Sequence, residues 1–576
     1  MTTASPFSRL LGLAAGVAAG VGLAGAFSSN ENSSDAASDT ATVAGEPSGG
    51  LAGEAEDGDG AAVEVVNWSA THVARPRRHV EPATLAELES AVAQAHAEGA
   101  KLRPVGAAIS PNGLGFSDEG MLSLAQLDQV LWVDKEARLV RVQAGARVQQ
   151  VVEALRPHGL TLENYASIKW QMIGGYTQTG AHGTGATLPP VDEQVVSMKL
   201  VTPAEGTMEL SSANAKTAEE AELFRLARVG LGALGVVAEL TLRCVPAHRL
   251  VETTRVVTRA EARAGHAARL RRHRHVRYMW IPYEDAVVVV TCDPVANLAG
   301  PEPTITARLD SDHALEPLRD LLRTTEAVAP GTAAAAAINT LNFAALRDRL
   351  LAAAPLDAHH VRACNRAEAE FWRRAQGVSN VDWSDRVLGF ECGGQQWVNE
   401  VALPAGTLSA PSLKDIAFVE SLLERLEALH TPAPAPIEQR WTAASDSAMS
   451  PAHPRAAGTG PAAEAGSDPA ARPLFSWVGI IMYLCTEDAR QRKAITDAFA
   501  NYRGIVAREL DEPFEAYVHW AKLEVPAAAE ERDALAQRLA ARYPLQSFVA
   551  ARRRLDPKGI LSNEAMDVFL AAAQAA

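Results

Sequence analysis

ASIKWQMIGGYTQTGAHGTGA, residues 166–186, sets five glycines (Gly174, Gly175, Gly180, Gly183 and Gly185) among Ser, Thr and a single His. Glycine has no Cβ to hold a ligand away and accepts positive φ, so successive backbone N–H groups in such a run converge on phosphate oxygens or a ring edge. One Gly pair alone would be read as a tight turn. Here a second run precedes it, RPVGAAISPNGLG at 103–115, and a third follows, VGLGALGVV at 229–237. Three glycine-rich turns within one stretch of short strands and helices point to one extended ligand touched at several places.

The segments between the turns carry helix and strand signals. Thr84 and Glu87 form a capping box, Leu85, Leu88 and Val92 share one face, and Gly99 supplies a stop. This predicts a helix over 84–98 that feeds a strand over 101–105. A second unit repeats the pattern: strand 139–143, turn Ala144-Gly145, helix 148–155, then Gly159. Gly230, Gly232 and Gly235 satisfy the GxGxxG spacing, but a dinucleotide fingerprint needs a strand before it and a helix after it. Here 219–228 reads as helix and 236–244 alternates as strand, so that assignment is rejected. The layering is that of an α+β protein.

A chain of 576 residues exceeds one hydrophobic core, so two or more domains are expected. Lys and Arg number 54 against 69 Asp and Glu, a net charge of −15. That balance argues against nucleic acid and suits a basic partner. Cys244, Cys292, Cys364, Cys392 and Cys485 are scattered without a CxxC, which predicts thiols and neither a disulfide framework nor a metal site. Residues 10–27 are uncharged, and as a helix would rise about 27 Å. A thin-bilayer span and a cleaved presequence fit equally, so 1–30 is read as presequence or membrane anchor. Residues 31–65, rich in Ser, Gly, Ala and acid, are expected to form a disordered tether, and the low-complexity stretch 450–473 a mobile surface loop.

The order VGAAISPNGLGFSDEGMLSL, NYASI, GGYTQTGAHGTGA, PPVDEQVVSMKLVTPAEG, GLGALGVVAEL resembles the FAD-binding domain of vanillyl-alcohol-oxidase-type flavoproteins. Continuing through WIPYEDAVVVVTC, GFECGGQQWV, PAPAPIEQRWT, FSWVGIIMYL, YVHWAKLE and RRRLDPKGILSN, it is similar to the aldonolactone oxidoreductases. Within them it is similar to the plant and algal branch that oxidises L-galactono-1,4-lactone. The resemblance implies an FAD-binding domain over 66–247 and a substrate domain over 248–576, whose closing LDPKGILSN returns to the first. It implies cofactor contacts at Val105, Gly106, Ala107, Ala108, Ile109, Ser110, Ala166, Gly174, Gly175, Gly180, His182, Gly183, Thr184, Gly185 and Val237. Members that attach FAD covalently carry a His in the first turn. This chain has Ile109 there, so non-covalent FAD is expected.

Glu438-Gln-Arg440 follows the extended lead PAPAP, and strand alternation puts Glu438 and Arg440 on one face. Alone, such a pair reads as a solvated couple; the resemblance turns it toward the flavin and the lactone. His519-Trp-Ala-Lys522 reads by the same alternation, with His519 and Ala521 on one face and Trp520 and Lys522 on the other. The resemblance implies that Arg440 stabilises developing negative charge, that Glu438 and Lys522 hold hydroxyls, and that Ser167 adds a contact. It implies oxidation of L-galactono-1,4-lactone to L-ascorbate, cytochrome c as acceptor, and a mitochondrial location at the inner membrane or in the intermembrane space. The resemblance also implies that Ala166 lies beside the flavin, at a place where Gly admits oxygen, which argues against an oxygen-using aldonolactone oxidase. A catalytically silent assembly factor for respiratory complexes is the rival of another class, and retention of EQRW and HWAK argues against it.

Overall fold

The computed structural model describes residues 63–298, 303, 305, 309–389, 393–454 and 469–574. The predicted presequence, nearly all of the tether, Cys392 and residues 455–468 of the low-complexity stretch lie outside them.

In the N-terminal half, a parallel three-stranded sheet (His79–Val80, Met121–Ser123, Arg103–Val105) stands beside an antiparallel five-stranded one. The latter runs in the order Gly206–Ser211, Val195–Thr202, Val236–Arg243, Leu139–Gln143, Val130–Asp134. The helix Leu85–Glu98 forms as its caps dictate: the Thr84 hydroxyl accepts from Glu87 N–H, and Gly99 closes it at φ 68°. The Glu87 carboxylate reaches one residue further back than a capping box requires, to Ala83 N–H. The strand predicted from 101 starts at Arg103. Val148–Leu155 buries Val148, Val151, Val152 and Leu155, the i, i+3, i+4, i+7 stripe of an amphipathic helix. The GxGxxG turn does lie between the helix Ala218–Ala227 and the strand Val236–Arg243, the reverse of a dinucleotide fold.

An eight-stranded antiparallel sheet dominates the second half, in the order Gly377–Trp383, Arg249–Val257, Val287–Pro294, His275–Trp280, Ile437–Ala443, Pro473–Tyr483, Gln396–Thr407, Tyr517–Val518. Its strands bury Ile437, Trp441, Val478, Ile480, Val401 and Leu403 in one core with Ile416, Val419 and Leu423 of the helix Lys414–Ala428. The alternate residues point to the opposite face, toward the glycine-rich turns. Helices Leu545–Leu555 and Glu564–Gln574 join the core of the N-terminal half. Leu102 N–H donates to Ile560 O there, and Asn563 Nδ2 donates to Leu114 O and Phe116 O.

The mobile-loop expectation fails at its leading edge. Ser450 and Ala452 are fully buried, and Arg542 donates to Pro451 O and His453 O. Small residues there pack closely; composition alone does not distinguish a packed turn from a solvated one.

Candidate functional site

The three glycine-rich turns meet around one cleft. Its walls include 103–110 of the first turn, Gly174, Gly175 and Thr179 of the second, and Leu231, Gly232, Gly235 and Val237 of the third. Arg103 ties the first and third turns together. Its buried guanidinium donates to Leu114 O, Leu231 O, Gly232 O and Leu561 O. Burial, with a smaller push from Arg552, lowers its pKa to about 9, still cationic at neutral pH. Gly232 sits at φ 63°, where a Cβ would come within 2.9 Å of Pro104 Cγ. A Cβ on Gly175 would meet nothing within 4 Å, so bare backbone faces the cleft. Ala108 holds φ 52° without a glycine's freedom, a conformation that costs an L-residue about 1–2 kcal/mol. Met172 packs over Gly106, and the Arg147 guanidinium lies 5.5 Å from the Trp170 ring centroid.

A second cavity of about 180 Å³ joins this cleft, sharing Ile109, Ser110, Gln171 and Thr179 with it. Ala166, Ser167 and His182 form its near side, and Glu400, Glu438, Arg440, Gly479, His519 and Lys522 its far side. As alternation predicts, Glu438 and Arg440 share the cavity face while Gln439 turns into the core, accepting from Trp280 Nε1. Glu438 lies between two guanidinium groups, 3.2 Å from Arg440 Nε and 3.7 Å from Arg277 Nη1. Strand register sets Arg277 directly opposite Arg440; the carboxylate between them offsets that repulsion.

Glu400, which the sequence does not single out, organises the cluster. Its Oε1 accepts from Arg440 Nη2 at 2.7 Å, its Oε2 accepts from Lys522 Nζ at 2.9 Å, and His182 Nε2 lies 3.2 Å from Oε1. Burial opposes ionisation here, yet Lys522, His182 and Arg440 outweigh it and hold the carboxyl well below its ordinary pKa. Burial lowers the pKa of His182, against the pull of Glu400. The ring stacks on Trp477 with centroids 3.7 Å apart, and its Nδ1 donates to Gly183 O. Burial and the Lys522 charge push His519 well below its ordinary value. Its Nδ1 accepts from Ala521 N–H and its Nε2 donates to Gly180 O, which fixes a neutral tautomer.

The alternation predicted through HWAK does not hold. The strand ends at Val518, and Trp520–Lys522 is one 3₁₀ turn capped by His519. Three residues per turn then stack Lys522 over His519 at the cavity, which Ala521 also lines. Trp520 faces away, its Nε1 donating to Met449 O. Of the cofactor residues expected in the central turn, Gly180, Gly183, Thr184 and Gly185 lie outside the cleft. Gly180 makes a positive-φ bend at 69°. A Cβ on Gly183 would lie 2.1 Å from Asn164 Oδ1 and 2.2 Å from Tyr165 O. Gly185 N–H donates to Trp441 O and Thr184 Oγ1 to Val276 O. Gly183–Gly185 therefore stitches the turn to the large sheet one residue from Arg440, which positions the ion pair against Ser167 and Ala166.

These features fit a flat, elongated cofactor: bare glycine backbone along the cleft, and the Gln171 Oε1 buried at its junction with the cavity without a protein hydrogen-bond partner. Residues 76–211 match the family described as FAD binding domain, and residues 240–568 the family described as D-arabinono-1,4-lactone oxidase. The chain is 50% identical over 511 residues to a mitochondrial L-galactono-1,4-lactone dehydrogenase of Arabidopsis thaliana, covering 87% of this chain and 80% of that protein. It is 26% identical to L-gulonolactone oxidase of Bos taurus, covering 87% and 97%. A crystal structure of cholesterol oxidase from B. sterolicum superposes with TM-score 0.65 at 16% identity, covering 88% of this chain and 96% of that one; this likeness concerns the fold.

Proposed function

The chain belongs to the D-arabinono-1,4-lactone oxidase family of FAD-dependent aldonolactone oxidoreductases, two-domain flavoproteins of the vanillyl-alcohol-oxidase type, and from that premise we propose that it oxidises L-galactono-1,4-lactone to L-ascorbate and delivers the electrons to a cytochrome c. The observation that carries this reading is the far wall of the cavity. Two carboxylates and two cations, Glu438, Glu400, Arg440 and Lys522, converge on the cavity that joins the cofactor cleft.

The backbone of 105–110, Gly174, Gly175 and Val237 would hold FAD, which when bound would supply the hydride acceptor. The protein positions the lactone and handles charge. Glu438, with side-chain exposure of 30%, accepts hydrogen bonds from lactone hydroxyls, and Lys522 donates to a neighbouring oxygen. Arg440 is fixed by Glu400 and Glu438 before substrate arrives, so its guanidinium stabilises charge developing on the substrate oxygen without reorganising. Ser167, on the opposite wall, adds a contact. The His519 imidazole, fixed as a neutral tautomer by its two hydrogen bonds, leaves the positive charge on this side of the cavity to Arg440 and Lys522. Loss of a hydride from the carbinol carbon and of its hydroxyl proton to solvent gives a 2-keto lactone, which tautomerises to the enediol.

The acceptor assignment rests on two features. Ala166 lines the cavity and narrows the approach of oxygen, and the net charge of −15 steers a basic partner. Such steering weakens as the Debye length falls from about 30 Å at 0.01 M salt to about 8 Å at 0.15 M. The relatives named mitochondrial support placement in that organelle; the inner membrane or the intermembrane space within it is part of the proposal. Lactone-dependent cytochrome c reduction, falling with salt and forming little hydrogen peroxide, is expected; Ala166→Gly raises peroxide. If air reoxidises the lactone-treated enzyme as fast as cytochrome c does, the protein is an oxidase and the acceptor assignment is wrong.

A further inference from the structure

Along the strand Pro473–Tyr483, the residues facing the cavity side are Trp477, Gly479, Ile481 and Tyr483. Three are large and one has no side chain. Gly479 is not among the positive-φ residues, so its backbone needs no glycine, and glycine weakens a strand interior. A Cβ built there would meet only Glu400, at 3.9 Å from Cγ and Oε1, and otherwise open space. The missing side chain therefore leaves a gap in the cavity wall.

The gap has defined edges. Register pairs Gly479 with Glu438 on one neighbouring strand and with Glu400 on the other. With about 4.8 Å between adjacent strands, the two carboxylates flank a slot roughly 10 Å wide at the backbone. Arg440 contacts both of them, Arg277 lies against Glu438, and Lys522 and His182 against Glu400. Trp477, stacked on His182, bounds one end of the slot and Ile481 the other. A slot with acceptors on both long edges and apolar ends suits a small ring carrying hydroxyl donors on opposite sides.

We infer that Gly479 is a specificity-determining residue, whose missing side chain forms the seat of a polyhydroxylated lactone ring between Glu438 and Glu400. This rests on the aldonolactone reading and deepens it. The slot admits the ring lying flat on the strand; any side chain at 479 lifts the ring away from both carboxylates.

The test uses the FAD-loaded full chain and its Gly479→Ala and Gly479→Val variants. Affinity is measured by titration of the visible spectrum with a 2-deoxy aldonolactone, which lacks the hydroxyl to be oxidised, and turnover is measured with L-galactono-1,4-lactone. Gly479→Ala is expected to weaken 2-deoxy lactone binding at least tenfold and to raise KM by a similar factor, with cofactor content and cleft spectrum unchanged. Gly479→Val is expected to abolish both responses. If Gly479→Ala binds within twofold of the parent, the slot is not the seat of the ring and the inference is overturned, even if the valine variant fails to fold. A parent protein that responds to no lactone overturns the aldonolactone reading itself, which separates the two failures.

Discussion

Replacing Glu400 by Gln keeps the shape of the side chain and removes its charge from beneath Arg440 and Lys522. The carboxylate now accepts two charge-assisted hydrogen bonds, at 2.7 and 2.9 Å. An amide has one acceptor oxygen, and its NH₂ opposes a donor. One bond is therefore lost and the other weakened to a charge–neutral one. With about 1.5–3 kcal/mol for a bond to a charged group and roughly half that for a neutral one, the cluster loses on the order of 2–4 kcal/mol. Arg440 is then held by Glu438 and its remaining contacts, and its preorganisation suffers. If half of the loss falls on the transition state, anaerobic bleaching of the flavin by lactone slows by roughly five- to thirtyfold. The same group has a signature in acid. Its folded-state pKa is depressed, so its contribution to stability is in place above the unfolded carboxyl value of about 4.3 and is lost as pH falls through the folded value. The parent should lose stability steeply below about pH 4.5, and Glu400→Gln more gradually. Stopped-flow bleaching at neutral pH and acid unfolding followed by flavin release measure the two effects. Bleaching within twofold of the parent, together with an unchanged acid profile, would refute the role given to Glu400.

Arg440→Ala is expected to slow bleaching about a hundredfold, on the scale of a lost oxyanion-type contact, while Glu438→Ala mainly raises the lactone concentration needed. Bleaching of Arg440→Ala at the parent rate would remove this strand from the active site. FAD should leave with the supernatant on acid precipitation, because Ile109 offers no nucleophile and the cleft lining includes neither His nor Cys among the described residues; flavin fluorescence on the denatured band would show a covalent link. Burial raises Asp511 to about 7 from 3.8, against the opposing pull of Arg538, so the folded state holds a proton that the unfolded chain releases. Parent stability therefore falls as pH rises from about 4 to 7, by at most roughly 4 kcal/mol at about 1.4 kcal/mol per pKa unit. Melting curves of Asp511→Asn should show a gap from the parent that widens across that range and then stays constant, and a gap independent of pH would refute the shift.

What could be read in advance was local. Thr84, Gly99 and the stripe Val148–Val151–Val152–Leu155 act within one helix, so the helices of the N-terminal half followed from neighbouring residues. The shared face of Glu438 and Arg440 followed from strand alternation after a proline-rich lead. Glu400 carries no such signal: it sits in WVNEVAL, and its partners Arg440 and Lys522 lie 40 and 122 positions away. HWAK misled because a 3₁₀ turn and a strand with the same residues aim Lys522 differently. Gly183–Gly185 looked like cofactor-binding backbone, but its glycines answer to Asn164, Tyr165 and Leu188. Gly479 hid in an apolar strand, where only the register with two carboxylates gives its absent side chain a meaning.

The closing loop around Leu561 and Asn563 has a consequence for how the molecule is made. Leu561 O takes a hydrogen bond from Arg103 across 458 positions of sequence, and Asn563 Nδ2 reaches the carbonyls of Leu114 and Phe116 beside the first turn. A ribosome adding about 5–20 residues per second delivers those partners roughly 20–90 s after Arg103. Until then Arg103 lacks one of its four carbonyl partners and the first turn has no outer brace. The cofactor cleft is thus completed only after Leu561 and Asn563 have been made, and flavin capture waits for them. A chain truncated before Leu561 should emerge with most of its sheets and without its yellow colour.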